Sequence, residues 1–121
     1  MNLIVRQMNY NDLDACSKIS IKARIDLWEK YDHTIYPRKY LKEKLKLYKP
    51  AILRKFIDDK DKYAFVAEVE DEVVGLALGK VTYGISDISW IAVDPEWQGE
   101  GIGRKILETI IEYSKSRDVT K

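Results

Sequence analysis

The 121-residue chain predicts an α/β domain of the α+β kind, with its elements in the order β-α-α-β-β-β-α. Three observations carry this expectation. Apolar residues recur at spacings of three and four in the first half of the chain, as on one face of a helix. A block of apolar and β-branched runs punctuated by turn residues follows from Tyr63 to Val93. A glycine-rich segment then opens onto a last helical stripe. No repeat, low-complexity tract or linker divides the chain, so residues 1–121 are expected to form one domain.

Residues 2–8 (NLIVRQM) read as a short strand, ended by the turn-prone Asn9-Tyr10-Asn11. Asn11 is the expected N-cap of the first helix, with Asp12 and Asp14 in a first turn whose dipole favours negative charge. Leu13, Cys16, Ile19, Ala23 and Leu27 form its apolar stripe, which runs to about Lys30. Tyr31 to Pro37 breaks the pattern. A second helical region covers Arg38 to Ile57, and Pro50 marks a joint because proline cannot donate inside a helix. Tyr63–Val69 and Val73–Tyr83 read as a hairpin through Glu70-Asp71-Glu72. A third run, Asp87 to Val93, follows a break at Gly84 and stops at Asp94-Pro95. Ile102, Ile106, Leu107, Ile110 and Ile111 mark a final helix to about Arg117.

Composition narrows the function classes. Hydrophobic residues at 45% can offset the entropy of ordering the chain, which argues against disorder. A net charge of +1 gives no bulk signal for nucleic acid or a membrane surface, so a charged ligand must be held by a local site. No run reaches the roughly 20 apolar residues of a membrane-spanning helix, and the N-terminal MNLIVRQMNYNDLD lacks the pattern of a signal peptide. Cys16 is the only cysteine, so no intramolecular disulfide forms and the cytoplasm is the expected compartment. No group of Cys, His and carboxylates has ligand spacing, and no metal is expected.

The chemistry concentrates between Val93 and Arg104. A strand runs out at Pro95, and Gly99, Gly101 and Gly103 then lead into a helix. Glycine tolerates positive φ and lets a ligand approach the backbone. The first turn of the helix carries unpaired N–H groups and a partial positive charge, which together hold phosphate. Arg104 adds a fixed cation to the same place. The spacing G-x-G-x-G departs from the dinucleotide pattern G-x-G-x-x-G, and no Lys-Ser or Lys-Thr follows as in a P-loop. A tight structural turn is the plain alternative, although three glycines in five residues exceed what one turn requires.

Gln98-Gly99-Glu100-Gly101-Ile102-Gly103 matches the Q/R-x-x-G-x-G/A signature of the GCN5-related N-acetyltransferases (GNAT), with Asp87–Val93 and Asp94-Pro95-Glu96 as its usual lead-in. The chain resembles that family over essentially its whole length, and the segment from about Ser86 to Ile111 is the specific part. The resemblance implies a mixed, mostly antiparallel central sheet flanked by helices. It also implies acetyl-CoA as cosubstrate and an amine of a small molecule or protein as acceptor. By the same resemblance, the amides of Gln98, Gly99, Glu100, Gly101, Ile102, Gly103 and Arg104 hold the pyrophosphate. Main-chain groups of Ile91, Ala92 and Val93 then pair with the pantetheine arm as if it were a strand.

For catalysis, the resemblance makes the Val93 amide the oxyanion donor. Asp87 stands where some family members place a catalytic glutamate, and its shorter side chain would act through a water. The alternative is a polar residue at a strand start. Glu68 is a second acidic candidate, with a solvated sheet face as the favoured reading. Trp28, Tyr31 and Tyr36, near Tyr40, fall where this family lines its acceptor pocket, although packing explains them equally. His33 reads as loop polarity and Cys16 as core.

The family pattern continues, beyond Lys121, with another strand, a helix and a final pair of strands. The chain is therefore expected to be truncated at its C-terminus, without the tyrosine that protonates the leaving thiolate. The Asp87–Val93 strand is then an open apolar edge, which favours association and a homodimer. A coenzyme A-binding module without catalysis is the rival reading, and a generic α/β domain with a structural glycine loop is a third.

Overall fold

Four strands pair in sequence order into one antiparallel sheet: β1 (Leu3–Gln7), β2 (Lys62–Val69), β3 (Glu72–Thr82) and β4 (Ile85–Val93). Four helices flank it, α1 (Leu13–Lys30), α2 (Arg38–Leu45), α3 (Pro50–Asp58) and α4 (Ile102–Ser116). This computed structural model describes residues 2–83 and 85–117. The break expected at Gly84 and the tail Asp118–Lys121 lie outside them.

The mixed α/β class and the element order agree with the sequence. The second helical region is two helices, joined by a 3₁₀ turn at Lys46–Tyr48, with Pro50 at the start of α3, where its missing N–H costs nothing. Glu70 and Asp71 turn the β2–β3 hairpin with φ of 51° and 68°, the left-handed pair that a two-residue hairpin requires.

β2 and β3 read as nearly continuous apolar runs, KYAFVAEV and EVVGLALGKVT, because helices cover both faces of the sheet. On one face, Cys16, Ile19 and Ala23 of α1 and Leu53 of α3 pack on Val66, Leu76, Leu78 and Ala92. On the other, Ile102, Ile106 and Ile110 of α4 pack on Phe65, Ala67, Val74 and Ala77. Cys16 is fully buried and its thiol is pushed up to about 12 by that burial, so it packs and does not react.

Three local expectations are corrected. Asn11 does not cap the first helix. Asn9 caps the 3₁₀ turn Tyr10–Asp12, accepting from the Asn11 amide (2.9 Å) while Asp12 Oδ2 accepts from the Asn9 amide (2.8 Å), and Asp12 is then the N-cap position of α1 without a side-chain cap bond of its own. The cause is Arg6 of β1, whose Nη1 and Nη2 hold the buried Asp12 carboxylate at 2.8 and 2.9 Å. Glu68 is no solvated side chain, because it is half-buried and accepts from Arg6 Nε at 2.9 Å. Burial opposes ionisation of Asp12, but Arg6 and the Asn9 amide outweigh it and hold its carboxyl below the usual range. Third, Leu27, Leu107 and Ile111 are exposed, so the apolar stripes of α1 and α4 are narrower than their periodicity suggests.

Among the described residues, no helix is long and apolar enough to cross a membrane, and no three His, Cys, Asp or Glu side chains gather as metal ligands.

Candidate functional site

Among the described residues β4 is an edge strand, and its pairing with β3 slips once. Leu78 lies opposite Trp90 but Gly79 lies opposite Ile88, so Ser89 is an extra residue bulging from β4. Gly79 makes the bulge possible. A Cβ there would fall 2.3 Å from Tyr63 Oη and 2.4 Å from the Asp87 carbonyl oxygen. Beyond the bulge, the Asp94 amide donates to the Val74 carbonyl (2.8 Å), and Ala92 and Trp90 stand opposite Leu76 and Leu78. In an antiparallel ladder these alternate residues bond to the neighbouring strand. Ile91 and Val93 therefore direct their main-chain groups to the open edge.

The exit from β4 is fixed by charge. Asp94 accepts from the Glu96 amide (3.0 Å) and from Lys22 Nζ of α1 (2.9 Å), and Lys22 also pairs with Glu96. After the 3₁₀ turn Pro95–Trp97, the backbone passes through Gly99 and Gly101 at φ of 87° and 80°. A residue with a Cβ pays roughly 1–2 kcal/mol in that region. A Cβ on either glycine would meet nothing within 4 Å, so the loop opens onto free space. Gly101 is the N-cap of α4 and no side chain caps that end, which leaves the first-turn amides available.

The open edge and the helix start share one cleft of about 320 Å³. Ile91, Ala92, Val93, Gln98, Gly99, Gly101, Ile102 and Gly103 line it, together with Trp97, which the sequence reading omitted. Glu100 and Arg104 are exposed and stand outside the lining. Gln98 Nε2 reaches back to the Val93 carbonyl at 3.4 Å and closes one end of the loop on the strand.

The remaining expected residues are not gathered there. Asp87 is exposed on β4, two residues before the bulge and opposite Lys80. Trp28 lines a separate open hollow with Ile25, His33 and Arg38, and His33 Nδ1 lies 2.9 Å from the Trp28 carbonyl. Tyr31 is exposed, and Tyr36 stacks on Tyr40 with ring centroids 4.2 Å apart.

A cluster that the sequence reading missed sits behind the bulge, on the α1 side of the sheet. Arg24 Nε and Nη2 donate to Tyr48 Oη at 3.0 and 2.8 Å, and the guanidinium lies 4.6 Å from the Trp90 ring centroid. Tyr48 and Trp90 stack at 4.8 Å, and Trp90 Nε1 donates to the buried Ser20 Oγ (3.0 Å). Burial raises the Tyr48 phenol and the Arg24 charge pulls it the other way, with burial prevailing. The only prior signal was Arg24 and Trp90 as isolated large residues on a helix and a strand, with nothing in the spacing to join them.

Residues 23–121 match the model of the Acetyltransferase (GNAT) family. An uncharacterized N-acetyltransferase of Methanocaldococcus jannaschii is 29% identical over 111 residues, 92% of this chain, and the chain spans 58% of that relative's length. Among solved structures, the PaiA N-acetyltransferase of Thermoplasma acidophilum in complex with coenzyme A superposes with a TM-score of 0.82 at 16% identity, over 98% of this chain and 76% of that one. The ribosomal-protein-S18-alanine N-acetyltransferase of Escherichia coli gives a TM-score of 0.69 at 19% identity, over 96% and 61%. At such identity these likenesses speak to the fold.

Proposed function

The chain belongs to the acetyltransferase (GNAT) family, and on that premise we propose that it transfers an acetyl group from acetyl-CoA to a primary amine. One observation carries the reading: a single cleft joins an uncapped helix start to an open strand edge. Coenzyme A presents a pyrophosphate followed by an extended, amide-bearing arm, and these are the two things such a cleft is built to take. The amides from Gln98 to Arg104 would hold the pyrophosphate, and the outward main-chain groups of Ile91 and Val93 would pair with the arm. Ala92, buried between them, forms the floor.

Bound acetyl-CoA supplies the thioester. The acceptor nitrogen forms a bond to its carbonyl carbon as the carbon–sulfur bond breaks and the thiolate leaves. Val93 N–H, on the open edge, would donate to the oxyanion. Asp87 would take the amine proton through water, and because six residues of strand separate it from Val93 the relay needs more than one water molecule. In this reading residues 1–121 act as one domain.

A coenzyme A-binding module without turnover is the second reading. The observation in its favour is that Asp87 lies outside the cleft lining. Calorimetric titration with acetyl-CoA, coenzyme A and ATP tests both. Binding of the two coenzyme A species in preference to ATP is expected, and failure of all three would remove the cofactor assignment. Release of free thiol on adding amines then separates the transferase from the silent binder.

A further inference from the structure

Among the described residues, six of the chain's 21 lysines and arginines pair with carboxylates. Arg6 pairs with Asp12 and Glu68, Lys22 with Asp94 and Glu96, Lys30 with Asp26, and Arg54 with Asp58. Arg24 is different. It is half-buried, yet among the described residues its guanidinium meets only the neutral Tyr48 hydroxyl and the faces of Trp90 and Tyr48. Guanidinium has five N–H donors, and two are engaged here, so three are left to water or a ligand. Lys44 of α2 is likewise half-buried and faces the Tyr40 ring at 5.4 Å, with no carboxylate partner among the described residues.

Both cations border the same hollow of about 200 Å³, whose other walls include Leu47, Ile52, Phe56 and Leu78. Among the described residues no buried side-chain nitrogen lacks a hydrogen bond, so both cations keep contact with water, and an anion entering the hollow could replace that water. Two such charges beside an apolar hollow are complementary to one kind of occupant, an anionic head on a short apolar stem. Position adds a second argument. Ser89 and Trp90 of β4 close one side of the hollow, and they lie one to four residues before Ile91 and Val93, whose main-chain groups face the cleft edge. Strand rise is about 3.3 Å per residue, so the hollow and the cleft edge meet across the bulge within a few residues of one strand.

We propose that this hollow seats the acceptor, and that the acceptor is a small amine bearing a carboxylate, with the carboxylate held by Arg24 and Lys44. This rests on the acetyltransferase reading and adds to it the substrate class. Amine and carboxylate lie at opposite ends of such a molecule, so the carboxylate anchors in the hollow while the nitrogen reaches the bulge. The same cations repel a diamine.

The test compares 6-aminohexanoate, hexylamine and 1,6-diaminohexane, titrated calorimetrically into the full chain saturated with coenzyme A and assayed for thiol release with acetyl-CoA. The carboxylate is expected to bind or react roughly tenfold or more better than the diamine, since two charge-assisted contacts separate them. Lys44→Gln should reduce that preference and Lys44→Glu should reverse it, with coenzyme A affinity unchanged in both. Lys44 stands clear of the Arg24 stack, so these variants keep the test valid where Arg24→Gln loosens the packing. Coenzyme A binding with no preference for the carboxylate, or with preference for the diamine, overturns the substrate class and leaves the acetyltransferase reading standing. No binding of coenzyme A at all overturns both.

Discussion

Gly101→Glu should weaken coenzyme A binding by about two orders of magnitude, and Gly101→Asn tells the two reasons apart. Gly101 has φ of 80°, and a Cβ there would meet nothing within 4 Å. The folded chain therefore has room for a side chain, and the cost to folding is the left-handed conformation alone, roughly 1–2 kcal/mol and less for Asn, which visits that region. A domain with about 5–15 kcal/mol of stability tolerates this. The ligand does not. A glutamate carboxylate about 5 Å from one pyrophosphate charge costs roughly 3 kcal/mol at an effective dielectric near 20, which is a loss of about two orders of magnitude in affinity. Asn brings bulk without charge and should lose about tenfold, as expected for a misfit near 1.4 kcal/mol. Calorimetry with coenzyme A reads the affinities, and urea unfolding of the same samples checks the fold. A Gly101→Glu chain that unfolds cooperatively yet binds coenzyme A as the parent does would refute the placement of the pyrophosphate.

Two further outcomes concern stability. Gly79→Ala should destabilise by about 2–3 kcal/mol or more through overpacking, because the Asp87 carbonyl 2.4 Å away is backbone and cannot swing aside. Adding Tyr63→Phe should not restore the urea midpoint, and full restoration would show that the Tyr63 hydroxyl was the sole obstacle. Asp12 has a depressed folded-state pKa, so its contribution is present above the unfolded value near 3.9 and disappears as pH falls through the lower folded value. Asp12→Asn should therefore lose about 1–3 kcal/mol at pH 7 and show a flatter stability profile below about pH 4. A parallel pair of profiles from urea unfolding across that range would contradict the Arg6–Asp12 account.

Most of the fold was legible because its signals are local. Pro50 splits the second helical region where a proline must, and the Glu70-Asp71 turn sits between two runs whose apolar content alone marks them as strands. The misses share a cause, which is that the deciding partner is remote in sequence. Asp12 rather than Asn11 takes the N-cap position of α1, ending a 3₁₀ turn capped by Asn9 and with its carboxylate held by Arg6 on β1, and Glu68 is engaged by that same guanidinium from 62 residues away. Leu107 and Ile111 fit the helical period, but how wide a strip of α4 the sheet covers depends on the sheet and not on the helix. The bulge at Ser89 depends on Gly79 approaching the Asp87 carbonyl, a cross-strand distance that no period in the sequence encodes.

The same division runs through the candidate site and has a functional consequence. The cleft lining is one stretch from Ile91 to Gly103, so a single reading of the sequence reaches nearly all of it. The hollow behind the bulge is assembled from α1, α2, the 3₁₀ turn, α3, β3 and β4, and Arg24, Tyr48 and Trp90 meet only once the sheet forms. A cofactor common to many acetyltransferases can be held by one contiguous segment, whereas an acceptor that differs among them must be recognised by residues free to vary without disturbing it. Arg24 and Lys44 meet that condition. They lie on helices with no part in the cleft lining, so on the proposed reading changing them should shift acceptor preference and leave coenzyme A affinity as it is.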